Sequence, residues 1–271
     1  MALRVLSALI MAPLALAAAY AGGWPFALFW TIAAFAVLWE WVKLVAGPGH
    51  VLMYSSCTAA LVVGGVIELR ERPVVSLLVI GLGVLASLIF APPLRRVWVA
   101  GGIAYAGAML FAPLLLRLDP DDGLQAIFLL FGVVWTTDVL AYFAGRAVGG
   151  PKLCPAISPK KTWSGAIAAA AGGVLVAVAL VYLFAAAGLG VFHPGAWAVI
   201  GLLLSIVAQC GDLLESWIKR RFGAKDSSHL VPGHGGVMDR LDGFWAAAVA
   251  GCVFGILRGG WHNPALGLLV W

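Results

Sequence analysis

Apolar runs of 18 or more residues recur along this chain from one end to the other, and that pattern leaves few folds open to it. Nine segments emerge: roughly 4–21, 24–46, 50–69, 74–92, 97–117, 123–148, 164–189, 196–219 and 240–257. In a bilayer every backbone polar group must be satisfied within the protein, so these segments predict helices. The expectation is an all-α polytopic membrane protein of about nine transmembrane helices (range 8–10), forming one bundle and one domain over residues 1–271 with a cytoplasm-facing polar site. Composition agrees: 63% of residues are hydrophobic and 11% charged, against about 25% charged in an average soluble chain. The first segment, with Arg4 before it and an A-x-A-like end, also has features of a signal peptide. Pro13 predicts a kink there, and Gly22-Gly23 predict a tight turn into the second segment.

A net charge of +5 suits an anionic membrane surface. The basic residues lie between hydrophobic segments, so nucleic acid is not expected as a partner. Nine crossings place thirteen Lys/Arg on one side (4, 43, 95, 96, 146, 152, 160, 161, 219, 220, 221, 225 and 240) and four on the other (70, 72, 117 and 258). The richer side is expected to be cytoplasmic, with the N-terminus in and the C-terminus out. Loops 146–163 and 219–240 then face the same compartment. On the opposite face, the acids of ELRERP (68–73) and RLDPDDG (117–123) are expected to be solvated loop charges. The four cysteines are scattered, which argues against both a disulfide framework and a zinc site.

Charge concentrates in one stretch. Residues 209–243 carry five of the chain's twelve acids and five of its seventeen Lys/Arg. Asp212, Glu215, Ser216 and Lys219 recur at helical spacing and share a face. Two acids there repel unless a cation lies between them, and oxygen donors of this kind suit Mg²⁺; a local ion pair with Lys219 is the plainer alternative. Lys225 and Asp226 follow. In the loop Pro232-Gly233-His234-Gly235-Gly236, glycines let backbone N–H groups approach an anion. Lacking a second histidine at ligand spacing, His234 reads best as a hydrogen-bonding strut. Asp239 and Asp242 open the next helix with Arg240 between them. Upstream, Ser158-Pro159-Lys160-Lys161-Thr162 sets hydroxyls and ammonium groups before a helix start, where phosphate is favoured. Trp135, Asp138, Tyr142 and Arg146 line one helix face; Asp138, Tyr142 and Arg146 are candidate supports to the site, with a structural hydrogen-bonding role the alternative for Asp138. Glu40, beside Trp41, is expected to snorkel or to pair with Lys43. Carboxylates, lysines and glycines together suggest metal-assisted phosphoryl or nucleotidyl transfer at a membrane surface.

The stretch SWIKRRFGAKDSSHLVPGHGGVMDRLDG resembles the signature of the phosphatidate cytidylyltransferase (CDP-diacylglycerol synthase) family. RVLSALIMAPLALA, GGWPF, EW, WTTDVLAYFAGR, SPKKT and QCGDLLES extend the likeness over nearly the whole chain. It implies CTP and phosphatidate, a membrane lipid, as substrates, with CDP-diacylglycerol and pyrophosphate as products. Transfer would be direct, in phospholipid biosynthesis at a bacterial-type cytoplasmic membrane. It also implies Mg²⁺, leaving a second, monovalent cation and a homodimer open. Carried over by position, Asp212 and Asp239 become the leading metal ligands, with Glu215, Asp242 and Asp226 close by; Asp212, Asp239, Lys225 and Asp226 form the catalytic set. Lys160, Lys161, Lys219, Arg220, Lys225 and Arg240 would bind phosphates. Ser158, Thr162, Ser216, His234, Gly235 and Gly236 complete the substrate-binding set. Two departures stand out: Ser164 where the family has Glu, and Ser227-Ser228 where it has Phe-Gly, the latter suggesting a variable loop. A CTP-dependent lipid kinase of the polyprenol or phytol type and a non-enzymatic transporter are the alternatives; clustering of charge at one surface argues against the transporter.

Overall fold

The computed structural model describes residues 2–47, 51–190, 192–231 and 235–271. Ten α-helices follow one another: α1 (Ala2–Ala21), α2 (Gly23–Ala46), α3 (Val51–Glu68), α4 (Pro73–Phe90), α5 (Arg96–Leu118), α6 (Gly123–Ala147), α7 (Trp163–Ala186), α8 (Pro194–Arg221), α9 (Met238–Gly259) and α10 (Pro264–Leu269). Among the described residues, seven helical stretches are long and apolar enough to cross a membrane, and Leu9–Ala21 and Met53–Glu68 are shorter apolar helices. The protein is therefore a helical membrane protein, and the expected count of nine is loose. Gly22 and Gly23 both take positive φ at the turn between α1 and α2, as their sequence predicts.

One expectation needs correcting at this level. SPKKT is not an irregular loop: Ser158–Thr162 is a strand (β2) pairing antiparallel with Lys152–Cys154 (β1), in register Lys152 with Thr162 and Cys154 with Ser158. Two positive-φ glycines, Gly149 and Gly150, separate α6 from this hairpin.

The helices group into two compact units. The first comprises residues 1–118 and 221–241. There Trp41 Nε1 donates to Trp98 O at 2.7 Å, joining α2 to α5, and Arg117 Nε donates to Ala19 O at 2.7 Å, joining α5 to α1. Glu68 was expected to be solvated and is not. It ends α3 with 0% exposure, because the apolar α3–α4 pair closes over it before the turn at Leu69 begins.

The second unit comprises residues 119–220 and 242–271. Polar side chains link its helices inside the apolar packing, where such bonds substitute for absent water. Thr137 of α6 and Ser205 of α8 share a hydrogen bond of 2.7 Å, and Ser205 Oγ donates to Ala169 O of α7. Asp119 is the second acid found away from solvent, 4% exposed. Its carboxylate accepts from the N–H groups of Asp121, Asp122 and Leu266, tying the start of α6 to α10. Those three donors compensate its burial, and one of them, Leu266 N–H, lies far outside RLDPDDG.

Candidate active site

In the first unit, the segment leading into α9 folds around two carboxylates. Glu40 lies near the C-terminal end of α2 and is 0% exposed. Its Oε1 accepts from Ser228 Oγ (2.5 Å) and Val237 N–H (2.8 Å); its Oε2 accepts from Ser227 Oγ (3.1 Å) and Met238 N–H (2.7 Å). The N–H groups at a helix start have no intrahelical acceptor, and here a side chain from α2 supplies one. Asp239, in the first turn of α9, receives a second set on Oδ2: Ser227 N–H (3.0 Å), Ser227 Oγ (2.9 Å) and Gly236 N–H (2.8 Å). The Ser227 hydroxyl thus sits against both carboxylates.

The glycines of this segment are required by space. A Cβ on Gly236 would fall 1.9 Å from Ser227 Oγ and within 2.7 Å of both Glu40 oxygens. Gly235 has φ +86°, and its O accepts Val231 N–H at 2.8 Å, which closes the loop. Of the expected anion-approaching amides, that of Gly236 points at Asp239. His234, with Pro232 and Gly233, lies outside the described residues, as does His50. Lys225, Asp226 and Arg240 are exposed. Lys43 does not pair with Glu40; its ammonium lies over the Trp39 ring at 4.7 Å.

The second unit carries the other candidates. Successive strand residues face opposite ways, so the two lysines of β2 separate: Lys160 is exposed, whereas Lys161 Nζ meets Asp212 Oδ2 of α8 at 2.6 Å. Thr162 is buried and caps α7, its Oγ1 accepting Gly165 N–H at 3.2 Å. Ser164 donates to Gly149 O at 2.5 Å, fastening the start of α7 to the end of the α6 segment. Ser158 is half-buried.

On α8, Ser216 Oγ lies 3.4 Å from the other Asp212 oxygen, and Glu215 pairs with buried Lys219 at 2.6 Å. Arg220 is exposed. Helix α9 approaches α8 closely at Gly211: a Cβ there would stand 2.5 Å from the Ala246 side chain and 2.6 Å from Asp242 O. Only glycine permits this approach, which places Asp242 next to Asp212. Asp138, Asp212 and Lys161 all lie within electrostatic reach of Asp242. Of these, Asp212 is the one paired directly with Lys161. The remaining support residues continue along α6, where Arg146 donates to the Tyr142 hydroxyl at 3.0 Å. Among the described residues, no three His, Cys, Asp or Glu side chains converge as a ready-made metal cage.

Sequence reasoning missed Glu40, Ser227 and Ser228. The available signal was the rule that an ionisable group inside a membrane helix has a partner or a task. Glu40's partners lie 187 to 198 residues away in sequence, out of reach of any local pattern.

Comparison with known proteins identifies relatives of the chain. The cytidylyltransferase family profile matches residues 2–257. A phosphatidate cytidylyltransferase of Brucella abortus is 44% identical over 263 residues, covering 94% of this chain and 93% of that protein. One of Brucella melitensis is 43% identical over 259 residues, with the same coverage. A Staphylococcus aureus protein of the same name is 42% identical over 126 residues, 46% of each chain.

Proposed function

The chain belongs to the cytidylyltransferase family, and from that membership we propose that it transfers the CMP moiety of CTP to phosphatidate, forming CDP-diacylglycerol and pyrophosphate. A phosphatidate phosphate oxygen attacks the α-phosphorus of CTP. The bond from that phosphorus to the β-phosphate bridging oxygen breaks, and pyrophosphate carries the electron pair away. A phosphate monoester is already anionic at pH 7, so no strong general base is required. The protein's task is to bring two anions together and hold them in line, since positioning and charge neutralisation dominate such transfers.

The observation that carries this reading is the charge balance around Lys161. Lys161 pairs with Asp212 at 2.6 Å, and Asp242 stands within electrostatic reach of Asp212, Asp138 and Lys161, which makes this a cluster of hard-oxygen donors around a lysine. Such a set fits Mg²⁺, which takes one or two carboxylates and leaves its other positions to water and phosphate. Bound Mg²⁺ would neutralise charge developing on the triphosphate. On the family resemblance, Asp212 and Asp239 are each proposed as metal ligands, with Asp242 and Glu215 as further candidate acids. Lys161 exchanges Asp212 for a phosphate oxygen when the nucleotide enters, which releases Asp212 for coordination. Lys160, Lys225, Arg220 and Arg240, all exposed, attract the incoming anions, and Lys219 does so on leaving Glu215. The Lys/Arg distribution supports a cytoplasmic active site and N-terminus. Exposed apolar side chains on α8 and α9, among them Leu203, Ile206, Val253 and Leu257, leave a lipid substrate a lateral approach.

The test is a purified-protein assay with CTP and phosphatidate that follows pyrophosphate and CDP together. Pyrophosphate is expected. Release of CDP would instead establish a lipid kinase. Asp212→Ala and Asp239→Ala should each lower turnover at limiting Mg²⁺ by about 100- to 1,000-fold; near-native turnover in both would refute the ligand assignment.

A further inference from the structure

Glu40 takes no part in the reading above, yet it is among the most completely bonded side chains in the first unit. Four donors converge on its two oxygens: two serine hydroxyls, the N–H of Val237 just before α9, and the N–H of Met238 that opens it. Two of the four, the N–H groups of Val237 and Met238, come from the two residues before Asp239, and a third, Ser227 Oγ, contacts Asp239 directly. No basic residue is among them. A surface glutamate that merely snorkelled would have solvent on at least one oxygen; this one has none.

We infer that Glu40 is a positioning residue: through the Ser227 hydroxyl and the first turn of α9, it fixes the Asp239 carboxylate in the orientation the reaction uses. The inference rests on the functional reading of Asp239. Three details favour this role over simple packing. The Ser227 hydroxyl has one hydrogen and two carboxylate acceptors, at 3.1 and 2.9 Å, so the Glu40 and Asp239 side chains set each other's position through it. Gly236 lies so close to Glu40 and Ser227 that a Cβ there would collide with the Ser227 hydroxyl and both Glu40 oxygens. The two backbone amides cannot rotate as hydroxyls can, and they bind different oxygens of Glu40. An acceptor is therefore needed at both positions, which glutamate provides and glutamine does not.

The experiment uses the full-length protein in detergent, with Glu40→Gln, Glu40→Ala, Ser228→Ala and Asp239→Asn. Two quantities are measured: amide hydrogen exchange across residues 227–239 without CTP or Mg²⁺, and the Mg²⁺ concentration giving half-maximal pyrophosphate release. Glu40→Gln should speed exchange at Val237 and Met238 by about tenfold or more, since one amide loses a charged acceptor. Its Mg²⁺ midpoint should rise about 10- to 100-fold, the usual result of removing a group that orients a ligand. Turnover at saturating Mg²⁺ should largely recover. Ser228→Ala should move both quantities in the same direction by less. If Glu40→Ala yields no folded protein, the Gln and Ser228 variants decide the matter. Native exchange or a native Mg²⁺ midpoint in Glu40→Gln overturns the inference, provided Asp239→Asn is impaired. A fully active Asp239→Asn would instead defeat the reading of Asp239 itself.

Discussion

Gly236 has room for a hydrogen and nothing more. With Ser227 Oγ 1.9 Å from where a methyl group would sit, Gly236→Ala must displace the segment that carries Asp239. Misplacing a reacting group by about 1 Å can lower rate roughly 100-fold, and that loss is the expected result at normal membrane abundance, read by pyrophosphate release. Asp122 offers a pH test away from the membrane-spanning helices. Burial, then the neighbouring carboxylates of Asp119 and Asp121, pushes its carboxyl above the usual range. The folded form therefore resists ionisation more than the unfolded chain does, and folding is penalised at pH above both values. Asp122→Asn should raise the thermal midpoint at pH 8, and the gain should vanish as pH falls below the unfolded value of about 3.9, where both forms become neutral. Single residues were the least legible scale. Glu68 and Asp119 read as loop charges because their sequence neighbours are polar, whereas the packing that buries them comes from α4 and α10.

At the scale of elements the sequence was far more informative, since lipid imposes a length and a polarity that each helix must meet alone. The predicted segments differ from α2, α4, α5 and α6 by at most two residues at either end. The hairpin was not legible. Five residues of SPKKT carry no alternation of apolar side chains, and pairing with Lys152–Cys154 rests on backbone bonds rather than composition. Its closing residue makes a testable joint. Thr162→Val removes the acceptor for Gly165 N–H at the start of α7, and should lower stability by about 0.5–2 kcal/mol in thermal denaturation of the solubilised protein. Thr162→Ser should retain most of it. Asp119→Ala should destabilise as well, because three N–H groups lose their acceptor at once.

For the whole molecule, family and chemistry could be read from a charged stretch of 35 residues in an oily chain, while the arrangement of that stretch could not. Carboxylates predicted as one set divide among distinct local environments: Asp239 is held by serine and glycine donors, Asp212 by Lys161, Glu215 by Lys219. Two single replacements should expose that division. Lys161→Ala should raise the half-saturating CTP concentration by losing a phosphate contact, and at low Mg²⁺ the loss should be partly offset, since Asp212 is released from its pair. Kinetics over a grid of CTP and Mg²⁺ concentrations, with Lys219→Ala as the comparison, would reveal whether the two ion pairs respond independently. The link between Glu40 and residues 227–238 also has a consequence in time. At about 5–20 residues per second of synthesis, the interval of 187 residues between Glu40 and Ser227 corresponds to roughly 10–40 seconds. Throughout that interval the nascent α2 carries a carboxylate whose four donors do not yet exist, so its final seating must be among the last events in the maturation of the chain.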